Sequence, residues 1–160
     1  MGEAAALDSA ELEATGQISD WVDIVDTEGA PIKRVRLTFI ASAQWFSIES
    51  RKTALVKGAS AIEQRLEEGT SDDPAADAAR LGSYKTSLLE VAGETVARSV
   101  RQIEGQEPFE VIDGKLKPSD VEALALDGLF WETHTAVVQA HWTSPEQVRA
   151  LFRSGLGQPV

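Results

Sequence analysis

The spacing of apolar residues changes near residue 40, from every second position to every third or fourth. Between residues 32 and 40, apolar and polar side chains alternate, which is typical of a strand with one face in water. Residues 21–26 form another β-rich run, and a short connection containing Gly29 separates the two runs. Residues 20–40 are therefore predicted to form a β-hairpin.

Two long stretches beyond residue 43 repeat their apolar residues with the period of an α-helix. The first has its apolar face at Trp45, Ile48, Leu55, Ala59, Ile62 and Leu66. The second has its apolar face at Leu81, Tyr84, Leu88, Ala92, Val96 and Val100. Between them, Gly69 is suited to end one helix and Pro74 to begin the next. Residues 43–104 are therefore predicted to form an antiparallel helical hairpin.

The last third of the chain, residues 108–153, is predicted to form a small hairpin followed by short helices. Asp113 and Gly114 both tolerate positive φ, so together they are a strong signal for a two-residue turn. The predicted fold is mainly α with a small N-terminal β-hairpin (α+β), built as a single globular domain over residues 20–155. Residues 1–19 are small, polar and acidic, and we expect them to form a flexible arm.

The apolar side of each predicted element supplies the predicted core. Its members are Leu37, Phe39, Leu55, Ile62, Leu88, Val96, Leu124, Val137 and Leu151. If Leu55 or Leu88 is fully buried, we expect its truncation to alanine to cost about 2–5 kcal/mol.

The composition limits the chemistry that the chain can support. Its 160 residues include 26 acidic and 15 basic side chains, a net charge of −11, and no cysteine. The lack of thiols excludes disulfides, Cys-ligated metal sites and thiol catalysis. His134 and His141 would lie ~10 Å apart along a helix, too far to share one metal ion. No metal and no organic cofactor are predicted, and neither nucleic acid nor a membrane is expected as a partner.

Positive charge is concentrated in one part of this acidic chain. Residues 33–57 carry six basic residues against Glu49 alone, a local charge of +5. We call five of them the basic block: Arg34, Arg36, Arg51, Lys52 and Lys57. The basic block is predicted to dock an acidic or helical protein partner, and an ordinary solvated face is the alternative.

Tryptophan is the second candidate for partner recognition, because one indole supplies a large apolar contact area. The chain has four tryptophans and one tyrosine. Trp142 precedes the start of a predicted helix and is the best candidate for a partner anchor. Packing within the fold is the alternative for each of the four.

Two short segments and their order along the chain resemble those of a known protein family. Trp21-Val-Asp-Ile-Val-Asp26 leads through Gly29-Ala-Pro31 into the basic strand. Later, Val111-Ile-Asp-Gly-Lys-Leu-Lys-Pro-Ser-Asp-Val-Glu122 precedes short helices that end with Val148-Arg-Ala-Leu-Phe152. In this order of elements, residues 20–153 resemble the tail assembly chaperones of long-tailed bacteriophages.

The resemblance implies a non-enzymatic protein of the host cytoplasm that coats the tape-measure protein and helps deliver tail-tube subunits to it. The sequence contains no Ser-x-x-Lys, Gly-x-Ser-x-Gly or P-loop motif, which agrees with a chain that is not an enzyme. One alternative is a structural virion component, such as a neck, tail or decoration subunit. A small acidic regulatory binding protein is another, an enzyme comes last, and self-association is a further option for the partner.

Overall fold

The structure is a computed structural model that describes residues 18–142. The elements in this range are β1 (Val22–Val25), β2 (Pro31–Leu37), α1 (Ser42–Glu68), α2 (Pro74–Ser99), β3 (Val100–Ile103), β4 (Val111–Ile112), β5 (Lys115–Leu116), α3 (Pro118–Leu126) and α4 (Phe130–Trp142). They confirm the predicted α+β, mainly α fold. The described chain divides into two compact units, which we call the sheet unit (residues 18–40 and 95–142) and the helical unit (residues 41–94).

The sheet unit is built on a three-stranded antiparallel sheet with the strand order β1-β2-β3. β1 and β2 form the predicted hairpin, and Gly29 adopts a positive φ in their connection. The Asp26 carboxylate accepts hydrogen bonds from the backbone N–H groups of Glu28 and Ala30. This side chain therefore holds the turn that the sequence places between the two strands.

The predicted alternation along β2 is correct only as far as Leu37. Val35 and Leu37 are fully buried, but the next buried residues are Thr38 and Ile40, and Phe39 is 41 % exposed. The pairing of β2 with β3 shifts register within the last two residues of β2. A one-residue shift exchanges the two faces of a strand, so the prediction that Phe39 belongs to the core is wrong.

The third strand corrects the end of the helical hairpin predicted over residues 43–104. α2 ends at Ser99, and Val100–Ile103 forms β3 instead of a last helical turn. Val100 and Ile103 are buried and β-branched, and β3 satisfies the backbone groups along one edge of β2. Ser99 joins the two elements, because its hydroxyl donates to the Thr38 carbonyl and its own carbonyl accepts the Thr38 N–H.

Arg101 lies in β3 but stabilises the end of α2. Its guanidinium donates hydrogen bonds of 2.8–3.2 Å to the carbonyl oxygens of Ala97, Arg98 and Val100, and to that of Gly114 in the β4–β5 turn. Burial lowers the pKa of Arg101 to about 10. A cation is favourable at the C-terminal carbonyls of a helix, and here it comes from the strand that follows.

The helical unit contains α1 and the part of α2 up to Glu94, which form the predicted antiparallel hairpin. Gly69 ends α1 with a φ of 70°, and Pro74 is the first residue of α2, both as predicted. Contacts between the helices run in antiparallel order: Arg51 with Glu94, Gly58 with Tyr84, and Arg65 with Asp77.

The loop end of this hairpin is organised around the buried carboxylate of Asp77. It accepts hydrogen bonds of 3.0 and 3.2 Å from Arg65 and one of 2.6 Å from Ser71, and it also pairs with Arg80. The hydrogen bonds from Arg65 and Ser71 hold the pKa of Asp77 well below its usual range.

Burial confirms five members of the predicted core: Leu37, Ile62, Val96, Leu124 and Val137. Leu55 and Leu88 lie on the predicted apolar faces but are only half-buried. The full loss expected for a buried leucine therefore does not apply to them. Leu151 lies outside the described residues.

The ends of the described range bear on two further predictions. Residues 1–17 of the predicted arm lie outside this range, but Ile18 pairs with Thr38, and the Ser19 N–H donates to the Leu37 carbonyl. The sheet unit therefore begins before residue 20. The predicted last helix and the extension of a single domain to residue 155 lie beyond residue 142 and remain predictions.

Candidate functional site

The first two residues of the basic block lie on the open face of β2. Arg34 and Arg36 alternate with buried neighbours, so both side chains point to the face opposite the core. Their guanidinium carbons lie 5.7 and 4.7 Å, respectively, from the ring centroid of Trp21. These distances are within the range of cation–π interactions. Trp21 thus contacts two cations instead of packing in the core.

Arg34 also has a carboxylate partner immediately after β3. Its Nε and Nη2 donate hydrogen bonds of 3.0 and 2.6 Å to Oε2 of Glu104, and its backbone N–H donates to Oε1 at 3.2 Å. The hydrogen bonds from Arg34 lower the pKa of Glu104. Because Glu104 is seventy residues away in the chain, only the pairing of β2 with β3 brings the two together.

The other three members of the basic block lie on α1, in the helical unit. Nη2 of Arg51 donates to both carboxylate oxygens of Glu94 at 3.0 and 3.1 Å, and Lys52 forms a 2.8 Å ion pair with Glu49. Lys57 is exposed and forms no ion pair with any residue between 18 and 142. Two of these three cations are therefore already matched by carboxylates of the same unit.

Arg51 and Glu94 also line a groove between α1 and α2 of the helical unit. The groove has a volume of about 350 Å³, and its remaining lining residues are Leu55, Ser87, Glu90 and Val91. Because Nη2 of Arg51 contacts both carboxylate oxygens of Glu94, the ion pair links α1 to α2 across the groove, and the geometry favours a structural role for Arg51.

The internal contacts change the interpretation of the basic block. Its members divide between the two units, with two in the sheet unit and three in the helical unit. Four of the five contact a carboxylate or an indole of their own unit. Local charge counting could not reveal this, because Glu94 and Glu104 lie outside the sequence window that appears basic.

Trp142 lies at the end of α4 and is 61 % exposed. The exposed positions of α4 are Trp131, Thr135, Gln139 and Trp142, and we call them the α4 outer face. Spacings of four, four and three residues place them along one side of the helix. Trp131 is 54 % exposed, so this side carries an exposed indole near each end. The sequence did not single out Trp131, because an apolar residue at helical spacing is more often core.

The two histidines on α4 take part in packing. The His141 ring stacks on Phe39 with centroids 4.9 Å apart, and its Nε2 accepts the Ile40 N–H at 2.9 Å. Nδ1 therefore carries the proton and donates to the Val137 carbonyl at 2.8 Å. Burial lowers the pKa of His141. His134 packs edge-to-face on Trp131, with centroids 5.6 Å apart.

Residues 18–142 contain no group of three His, Asp or Glu side chains that could hold a metal ion. In the same range, no helix has both the length and the hydrophobicity required to cross a membrane. Comparisons with models of protein families, with curated proteins and with solved structures each returned no match.

Proposed function

We propose that the chain is a non-enzymatic tail assembly chaperone of a long-tailed bacteriophage, acting in the host cytoplasm on tape-measure and tail-tube proteins. The observation that supports a binding role is the α4 outer face, with its exposed Trp131 and Trp142. The choice of family rests on the resemblance of residues 20–153 described above.

Exposed tryptophans favour a binding role for a physical reason. A tryptophan or comparable aromatic side chain buries about 150–250 Å² when it is covered, and tryptophan is enriched among the residues that dominate binding energy. Trp142 was predicted to anchor a partner, and Trp131 adds a second indole on the same side of α4. Two anchors on one rigid helix define a direction along which a partner can lie.

The basic block remains a predicted docking site, but fewer of its cations are available to a partner than its charge in the sequence suggests. Arg34, Arg51 and Lys52 would have to exchange an internal carboxylate for one on the partner. Lys57 has no such competitor within residues 18–142. Charge contacts of this kind mainly raise the association rate and weaken with salt.

The proposal is tested by recovering the tagged full-length chain from infected cells and by mass spectrometry of purified phage particles. We expect the chain to co-purify with the tape-measure and tail-tube proteins and to be absent from mature particles. A fixed copy number in mature particles would assign the alternative role of structural virion component. Recovery with neither tail protein would contradict a role in tail assembly.

A further inference from the structure

We propose that the helix pair α3–α4 binds a cationic amphipathic segment of a partner protein, with Leu126, Trp131 and Trp142 as its apolar contacts. The inference deepens the proposed function and rests on it only insofar as the chain acts by binding another protein. It concerns residues of the sheet unit that are not members of the basic block.

The apolar part of this surface is exposed to an unusual degree. Leu126, the last residue of α3, is 81 % exposed, and Trp131, in the first turn of α4, is 54 % exposed. The neighbouring Leu124, Leu129 and Phe130 are buried in the sheet unit, whereas the side chains of Leu126 and Trp131 are exposed to water. Covering them would remove a leucine and an indole from solvent, which is favourable in proportion to the apolar area buried.

The spacing of the two exposed tryptophans along α4 indicates how long the bound segment is. Trp131 and Trp142 are eleven residues apart on the α4 outer face, which corresponds to ~16 Å along the helix axis. That distance matches three turns of a helix lying alongside α4, with apolar residues on the side facing it. An amphipathic segment of about three turns is thus the shape that this surface fits.

The acidic residues of α3 and α4 indicate the charge of the partner. Residues 118–142 contain four acidic residues and no lysine or arginine, a formal charge of −4 with neutral histidines. The four are Asp120, Glu122, Asp127 and Glu132. Within the described range none of them forms an ion pair, whereas Glu49, Glu94 and Glu104 each do. An apolar surface with unmatched carboxylates complements a segment that carries lysine or arginine beside its apolar residues.

A second copy of this chain is a poorer occupant than a different protein. Two copies would each bring a net charge of −11. Within residues 18–142, Arg34, Arg51 and Lys52 already form internal ion pairs, which a second copy would have to break before it could offer these cations. We therefore assign the surface to a cationic segment of another protein.

The test uses the full-length chain and a fluorescein-labelled helical peptide with leucines on one face and lysines on the other. We expect the double variant Leu126→Ser/Trp131→Ser to bind this peptide at least about tenfold more weakly than the wild type, equivalent to about 1.4 kcal/mol. Phe46→Ser is the matched control, because Phe46 is an exposed apolar residue of α1 in the helical unit. Circular dichroism establishes that each variant is folded.

A second peptide, with serines in place of the leucines, separates apolar recognition from general attraction to an acidic protein. We expect it to bind more weakly than the leucine peptide, and we expect Glu122→Gln/Asp127→Asn to weaken the leucine peptide mainly at low salt. Equal binding of the two peptides, or equal binding by the double variant and Phe46→Ser, would overturn the inference. A concentration-dependent dimer lost in the double variant would also overturn it, by assigning the surface to a second copy.

These outcomes are distinct from a failure of the proposed function. If the double variant still co-purifies with tail proteins like the wild type, the surface is wrong and the role in tail assembly stands. If the peptide binds through α3–α4 but no tail protein is recovered from infected cells, the surface stands and the role is wrong.

Discussion

The sheet unit and the helical unit are stabilised in different ways. Among the described residues, ten of the eleven largest fully buried side chains lie in the sheet unit, and Ile48 alone lies in the helical unit. Ion pairs occur in both units, Arg34–Glu104 in the sheet unit and Arg51–Glu94 and Arg65–Asp77 in the helical unit. The two units therefore differ mainly in how many of their side chains are completely buried.

The difference follows from how the chain brings residues together. The core of the sheet unit joins Leu37 of β2 with Val96 near the end of α2, Val100 of β3 and Val137 of α4. Such a core is closed on several sides and excludes water. Two helices of a hairpin cover each other on only one side, which leaves residues such as Leu55 half-buried.

The sharpest test of this comparison removes one leucine from each unit. We expect Leu37→Ala to lower the free energy of unfolding by about 2–5 kcal/mol, because Leu37 is fully buried and its truncation leaves a cavity in the core. Leu55→Ala should cost about 1 kcal/mol, since the half-buried side chain loses less transfer free energy. Urea titration monitored by circular dichroism measures both. Equal losses would show that the two units do not differ in this respect.

The helical hairpin was the most predictable part of the fold. Its signals are local: an apolar period over many turns, a glycine at residue 69 and a proline at residue 74, and each is confirmed. β3 was not predictable in the same way, because Val100 and Ile103 continue an apolar pattern that also fits a helix. Their conformation is decided by β2, which lies more than sixty residues earlier in the chain. Without β3, the backbone groups along one edge of β2 would have no hydrogen-bond partners.

The candidate site shows the same limit. The sequence identified the five cations of the basic block and Trp142, but it could not assign partners such as Glu104 to Arg34. Nor could it separate the exposed Trp131 from the buried Phe130 beside it, because both are large apolar residues at the start of one helix. Exposure on a given helix face depends on what packs against that face, which is a tertiary property.

Acidification should weaken the two units at different pH values. The fold requires neutral His141, because Nε2 accepts the Ile40 N–H, and burial lowers its pKa below the value of about 6.5 in an unfolded chain. Below about pH 6.5 the unfolded chain takes up a proton that the folded chain does not, so stability falls as the pH decreases. Asp77 has a lowered pKa, so its contribution is complete above about pH 4 and is lost only below it.

Amide hydrogen exchange between pH 7 and pH 5, corrected for intrinsic rates, measures this difference. We expect the protection of Ile40 to fall over this range while amides near Asp77, such as Thr70, keep theirs. His141→Gln removes the titrating ring and should flatten the pH dependence at Ile40. If the His141→Gln variant shows the same pH dependence of Ile40 protection as the wild type, His141 does not control that dependence.

The smallest expected effects come from two glycines of the helical unit. In α2, Gly82 has nothing within 4 Å of the position that a Cβ would occupy. In α1, a Cβ at Gly58 would lie 2.8 Å from the Cζ of Tyr84 on the facing helix. We expect Gly82→Ala to raise the free energy of unfolding by about 0.5–1 kcal/mol, the gain in helix propensity. Gly58→Ala should lose this gain or lower the stability, because the tyrosine ring must move.

A double-mutant cycle shows whether the close contact is the cause. In a Tyr84→Ala background, Gly58→Ala should become stabilising by about the same amount as Gly82→Ala, because the obstructing ring is gone and only the helix propensity remains. The free energies come from urea titrations of the wild type and the three variants of the cycle. If Gly58→Ala stabilises the wild type as much as Gly82→Ala does, the hairpin tolerates displacement of Tyr84 freely. The contact between Gly58 and Tyr84 would then contribute little to the packing of α1 against α2.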